Sequence, residues 1–509
     1  MTVARTWAVA LTGLEGAMVE VEADLSKQTP EFHLIGLPDK ALGEAVRRVH
    51  NACANSELPL PRRRLTVNLS PASLPKQGSG FDVAIAIASL ATEGAMDAAS
   101  VERTVHIGEL GLDGRLRPVP GVLPAVHAAA RAGFRRVVVP HANRAEAELV
   151  EGMTVLGAAC LADVARWHGA DVESPVVDPV AGPRVDTSEP EPPDLVDVVG
   201  QREAVEALIA AAAGGHHMLM TGPPGAGKTM LASRLPGILP ALGDDAALEV
   251  ASIRSLSGDP VAGLSRRAPF EAPHHSASIA ALVGGGSRLV RPGAIARASH
   301  GVLFLDEAAE FATNALDALR QPLESGSITI HRAGVTAAFP ARFQLVMATN
   351  PCPCGNYGVR GAACVCPPHS IRRYLGRLSG PLLDRIDIEL GLTRVSVAHH
   401  AEFARDAVTT DAARGRVVEA RARAIHRLRE TPWRLNAHVS GPWLRQGPLS
   451  LAPIVRRPLD AALHRGALTL RGYDRVLRVA WTLADIAGRT TPTTHDIGRA
   501  LFMKKGVTP

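Results

Sequence analysis

The stretch that decides the fold is "HHMLMTGPPGAGKTML", residues 216–231. A short apolar run leads into G-P-P-G-A-G-K-T, and apolar spacing resumes behind it. This is a GxxxxGKT pattern set between a strand and the start of a helix. Gly222, Gly225 and Gly227, interleaved with Pro223, Pro224 and Ala226, let the backbone curl so that its N–H groups face phosphate oxygens. The N-terminus of the following helix adds positive potential. Lys228 is placed to meet the β- and γ-phosphates of ATP, and Thr229 to ligate Mg²⁺, with Met230 beside them in the first turn. The chain has six lysines, at 27, 40, 76, 228, 504 and 505. Lys228 therefore stands alone between 77 and 503, which argues against chance placement.

Reading outward, two further strand-like runs end in polar residues. "GVLFLDEAAEF" (301–311) closes on Asp306, suited to hold Mg²⁺ through water, and Glu307, suited to polarise an attacking water. "ARFQLVMATN" (341–350) closes on Asn350, which can orient that water beside the γ-phosphate. In the order loop, Asp-Glu, Asn, these residues predict ATP hydrolysis rather than mere nucleotide holding. In "LSGPLLDRIDIEL" (378–390), Arg385 lies between Asp384 and Asp387. It reads either as an arginine finger offered to a neighbouring subunit or as an ordinary local salt bridge.

At 509 residues the chain is too long for one ordinary core. It is 46% hydrophobic and 21% charged, as soluble globular proteins are, and a net charge of +5 permits an anionic partner without demanding one. No run of about 18 uncharged apolar residues occurs, so no membrane span is expected. The early acids Glu15, Glu20, Glu22 and Asp24 fit no secretory leader, which predicts a cytoplasmic location. A Pro- and acid-rich break separates a mixed α/β unit (1–168) from the rest. The expected division is that unit, a linker (169–193), an alternating strand–helix core with a parallel sheet (194–395) and an Arg-rich helical lid (396–509). In the first unit, strands are expected at 17–25, 64–70 and 135–140, and helices at 39–56 and 123–133.

With these motifs in place, the sequence resembles the magnesium-chelatase-like AAA+ ATPases, specifically the ComM/YifB family. "APHHSASIAALVGGG" (272–286), "RPGAIARASHGVLFLDEAAEF" (291–311), "LRQPLESGSITIHRA" (319–333) and "NPCPCG" (350–355) carry the likeness, which covers nearly the whole chain. The resemblance implies Val199, Gly200 and Gln201 near the adenine, Asn350 as sensor 1, Arg385 as the trans-acting finger and Arg471 as sensor 2. Arg475 and Arg478 are the secondary candidates for that last role. Trp481 departs from the family, which usually has Arg there. The resemblance also implies a homo-hexameric ring acting on DNA as a branch-migration helicase that supports recombination and natural transformation. A chelatase-type motor that remodels a protein partner and a Lon-like protease are the alternatives. "SITIHRAGVTAAFPARF" (327–343) reads as a hairpin with His331 and Arg332 at its tip. It either contacts the nucleic-acid backbone, as pore hairpins of related helicases do, or is a plain surface hairpin. His274 and His275 are adjacent, so one metal rarely takes both; they are expected to shape an inserted loop.

Residues 67–90 and 108–143 resemble the Lon protease domain, an α+β fold. Aligned by "PKQG", Gly80 stands where the nucleophilic serine belongs, and no lysine lies between 77 and 227 to activate Ser79. The fold is expected without the protease chemistry, with a structural or partner-binding role. Finally, Cys352, Cys354, Cys364 and Cys366 form C-x-C, nine residues, C-x-C. Four thiolates suit a structural Zn²⁺, and His369 could replace one of them. Reduced cysteines without metal and disulfides are the alternatives. Cys53 and Cys160 read as ordinary buried residues.

Overall fold

A computed structural model describes residues 3–36, 44–76, 78–173, 177–182, 192–286, 290–332, 335–359, 361–394 and 407–505. The N-terminal unit is built on a seven-stranded mixed sheet: β1 (Val3–Thr12), β2 (Glu15–Ser26), β3 (Phe32–Ile35), β4 (Arg64–Ser70), β5 (Val105–His106), β6 (Arg136–Pro140) and β7 (Thr154–Ala158). Their order across the sheet is β3-β4-β2-β1-β5-β6-β7. Alternation explains the strands. In β1, Ala4, Thr6, Ala8 and Ala10 are buried while Val3 and Arg5 face outward. Helix α1 (Ala45–Asn55) falls inside the expected 39–56, of which 39–43 lie outside the described residues. Helix α2 (Asp82–Ala91) is apolar all round apart from Asp82 and Ser89, and is buried throughout. Its buried Asp82 is held by Arg48 through two bonds, at 2.7 and 3.0 Å. Helix α3 (Val122–Arg131) stops at Gly133, whose φ of 93° gives the left-handed turn a helix end requires.

The second sheet has five parallel strands: β8 (Met218–Thr221), β9 (Phe270–Glu271), β10 (Val302–Leu305), the hairpin-separated β13 (Gln344–Thr349) and β14 (Ile388–Gly391). The hairpin is β11 (Ser327–Arg332) and β12 (Val335–Pro340). The sheet order is β9-β10-β13-β8-β14. Both faces are covered, as near-continuous apolar strands require. Met218, Met220, Phe304, Val346 and Ala348 face one core, and Leu219, Leu303, Leu305, Leu345 and Met347 face the other.

The C-terminal helices are not a detached body. Those spanning Thr410–Arg427 and Leu470–Ile486 share the first of these cores with the helix Arg202–Gly214. Arg416 clamps Glu206 through two bonds, at 2.9 and 2.8 Å. The N-terminal unit is also docked. Gly121 N donates to Ser255 O at 3.0 Å and Leu123 N to Ser255 Oγ at 3.3 Å. Ala170 and Val172 of the linker pack back on the N-terminal core. Among the described residues no helix is long and apolar enough to cross a membrane.

Candidate nucleotide site

Parallel register brings three strand ends to one edge. Thr221 lies opposite Thr349 on one side and Gly391 on the other, and Leu305 lies opposite Met347. The next residues along, Gly222, Asp306 and Asn350, therefore leave the sheet at its C-terminal edge, where open parallel sheets bind ligands. There Pro224–Met230, Asp306, Glu307, Thr349 and Asn350 line a cavity of about 400 Å³. Gly227, at φ 82°, turns the loop into the helix Lys228–Ile238.

The side chains interlock. Lys228 Nζ donates to Gly222 O at 2.6 Å, Pro223 O at 3.0 Å and Asn350 Oδ1 at 3.0 Å. Burial pulls its ammonium below the ordinary lysine range, opposed by the charges of Asp306 and Glu307. Thr229 Oγ1 donates to Asp306 Oδ2 at 2.6 Å. Glu307 sits in the left-handed region at φ 51°, uncommon for a residue with a side chain. Its carboxylate meets His275 Nδ1 at 2.9 Å. Gln201 Nε2 supports the loop from below by donating to Ala226 O at 2.7 Å, while its Oε1 is buried without a partner. Val199 and Gly200 precede the helix Arg202–Gly214 and do not line the cavity.

The arginines stand elsewhere. Arg385 pairs with Glu324, and Arg471 pairs with Asp384 at 3.1 Å; neither lines the cavity. Arg475 Nη1 donates to Arg385 O at 2.9 Å and to Asp387 Oδ1 at 2.6 Å, tying the turn that carries Arg385 to the helix Leu470–Ile486. Arg478 is used by Val439 O. His331 is exposed on the hairpin, bonded to Thr336; the turn 333–334 and the side chain of Arg332 lie outside the described residues. Ser79 donates to Glu109, and the buried Lys76 amino group is taken by Gly36 O and Pro71 O. The rings of His274 and His275 lie 4.1 Å apart, with His274 Nδ1 on Ser276 Oγ at 2.8 Å. The four clustered cysteine sulfurs meet beside the nucleotide loop, without His369.

Two contacts were not legible in the sequence. The His-His pair is visible as a motif, but its partner Glu307 is far along the chain. Arg394 Nε donates to Pro224 O at 3.1 Å, again a purely tertiary contact.

Fold and site together define a P-loop AAA+ protein of the magnesium-chelatase type. Family profiles match in three segments: "Subunit ChlI of Mg-chelatase" over 21–143, "Magnesium chelatase, subunit ChlI" over 194–400 and "Magnesium chelatase, subunit ChlI C-terminal" over 407–504. An uncharacterized protein of Mycobacterium tuberculosis is 49% identical, covering 99% of both chains. Competence protein ComM of Haemophilus influenzae is 41% identical, covering 98% of this chain and 97% of its own, and YifB of Escherichia coli is 40% identical over 94% and 92%. The chain belongs to the ComM/YifB family of magnesium-chelatase-like AAA+ proteins. The likeness to Lon is partial: Lon protease of Mycolicibacterium smegmatis is 27% identical over 31% of this chain and 21% of its own.

Proposed function

We propose that this chain is an Mg²⁺-dependent ATP hydrolase that assembles as a homo-hexamer and drives branch migration on DNA during recombination. The observation that carries the hydrolase reading is the bonded group Thr229–Asp306 and Lys228–Asn350 around one cavity at the strand ends. The donor set fits Mg²⁺: a hydroxyl and a carboxylate, both hard oxygens, already within bonding distance of each other. When bound, the ion neutralises phosphate charge. Thr229 and Asp306 would hold it. Lys228, satisfied by two carbonyls and an amide oxygen, would exchange these for phosphate oxygens. Glu307, released from His275, would take the proton of the attacking water, and Asn350 would orient that water. Arg385 is read as completing the neighbour's site, Arg471 as sensor 2, and His331 and Arg332 as backbone contacts in the pore. The segments 1–168, 194–395 and 396–509 are read as a non-proteolytic Lon-like unit open to a protein partner, the motor core and the lid. The four cysteines are read as a structural zinc site.

The full-length relative named for competence supports DNA as the track. The chelatase profiles support a second reading, an ATPase that remodels a protein partner. ATPase rates with and without forked DNA separate the two. Forked DNA is expected to raise turnover several-fold. Glu307→Gln is expected to keep nucleotide binding and lose about 10²–10⁴ in rate, the usual worth of a general base. Lys228→Ala is expected to lose binding itself. Absence of both DNA binding and DNA stimulation, with hydrolysis intact, would sink the helicase reading and favour the remodelling one.

A further inference from the structure

The loop 351–367 contains no helix or strand among its described residues. Ordered loops of that length usually owe their shape to something other than backbone ladders. Here the sulfurs of Cys352, Cys354, Cys364 and Cys366 lie within 4.8 Å of one another. Cys352–Cys354, Cys352–Cys364 and Cys354–Cys364 are 3.4, 3.8 and 3.7 Å apart. Four sulfurs at about 2.3 Å from a tetrahedral ion stand about 3.8 Å from each other, so the spacing is that of a zinc cage. A disulfide needs about 2.0 Å, and all four cysteines are free.

The backbone also supports the buried Cys352. Tyr357 N donates to Cys352 Sγ at 3.3 Å. Such an outer-shell donor helps fix a thiolate ligand on a metal. Soft thiolates without a hard oxygen among them select zinc over magnesium.

The cluster also touches the nucleotide site from two sides. Gly355, at φ 78°, packs directly on Pro224 of the phosphate loop: a methyl group there would stand 2.4 Å from Pro224 Cδ. Cys352 is fully buried and follows Asn350 by one intervening residue, and Asn350 Oδ1 accepts from Lys228. We propose that one Zn²⁺ held by the four cysteines is an integral wall of the nucleotide site, seating Gly355 against Pro224 and fixing Asn350 toward Lys228, so that metal occupancy sets nucleotide affinity. This rests on the reading of residues 222–229 as the nucleotide loop.

The test uses the full chain purified under reducing conditions. Elemental analysis is expected to give about one zinc per chain, and Co²⁺ substitution the visible absorption of a tetrahedral thiolate site. Less than a fifth of that zinc, with four titratable thiols, overturns the metal. Chelation of zinc is expected to weaken binding of a fluorescent ATP analogue about tenfold or more, with zinc re-addition restoring it. Unchanged affinity after zinc loss overturns the coupling. Cys354→Ser with Cys364→Ser is expected to reproduce the chelated state. Where that variant does not fold, Gly355→Ala keeps all four ligands and tests the Pro224 contact. It is expected to retain zinc and to bind the analogue about tenfold more weakly, and wild-type affinity there also overturns the coupling. Lys228→Ala separates the two readings. It is expected to keep zinc and lose the analogue; if it binds the analogue normally, the nucleotide-loop reading fails while the zinc result stands.

Discussion

Lys228 shows how much one residue type can carry. Its ammonium is buried, yet every proton finds an oxygen, two from the loop's own carbonyls and one from Asn350. A buried cation is tolerable only under such satisfaction. Glu307 is different: among the described residues its ionic partner is His275, which competes with the water it is read to activate. His275→Ala is therefore expected to raise basal ATP turnover two- to five-fold and to shrink the relative stimulation by DNA. A steady-state assay at saturating ATP checks this; a fall in basal turnover would mean that the imidazole orients the carboxylate instead of occupying it. Lys228, Thr229, Asp306, Glu307 and Asn350 were all legible as strand-end or loop residues. His275 was not, because a contact between distant segments leaves no local signature.

Elements act through their register. One residue of slip in the parallel sheet would turn every strand side chain to the wrong face and separate Asp306 and Asn350 from the phosphate loop. On the opposite side of the core, Arg475 from the helix Leu470–Ile486 bonds the buried Asp387, which also meets His216 Nδ1 at 3.1 Å. Burial works to raise the Asp387 carboxyl, but Arg475, His216 and Arg478 overcome it and hold the group well below the ordinary carboxylate range. A depressed carboxylate stabilises the fold above its unfolded value near 3.9 and loses that contribution as pH falls toward its folded value. Arg475→Ala removes the guanidinium from this buried carboxylate and leaves His216 beside it, and is expected to cost about 3–5 kcal/mol at neutral pH, read as a lowered melting temperature. The same variant should lose less stability than the wild type on going from pH 5 to pH 3. An unchanged acid dependence would show that Arg475 is not the partner that matters.

At the scale of the whole molecule, the three sequence segments form a continuous body. The C-terminal helices share a core with the sheet, and the N-terminal unit is bolted to the helix Asp244–Ser257 through Ser255. Arg385 and Arg471 lie with Glu324 and Asp384, away from the chain's own cavity. For Arg385 to complete a neighbour's site, as proposed, it would have to exchange its Glu324 partner for that site. Arg385→Ala and Lys228→Ala are each expected to abolish hydrolysis alone. Mixed before assembly, they are expected to regain about a quarter of wild-type activity, because some sites then pair an intact loop with an intact arginine. Mixtures that stay dead would refute action in trans.

The sequence by itself determined the phosphate-loop motif and the polar residues at its partner strand ends, because these obey local rules of spacing, turn and period. It also exposed the cysteine pattern and the lack of any lysine between 77 and 227. What only the tertiary structure decided is which distant groups meet: His275 with Glu307, Gly355 with Pro224, Arg475 with Asp387, Arg385 with Glu324 and Arg471 with Asp384. These contacts depend on how layers stack and helices cross, and no window of sequence contains both partners.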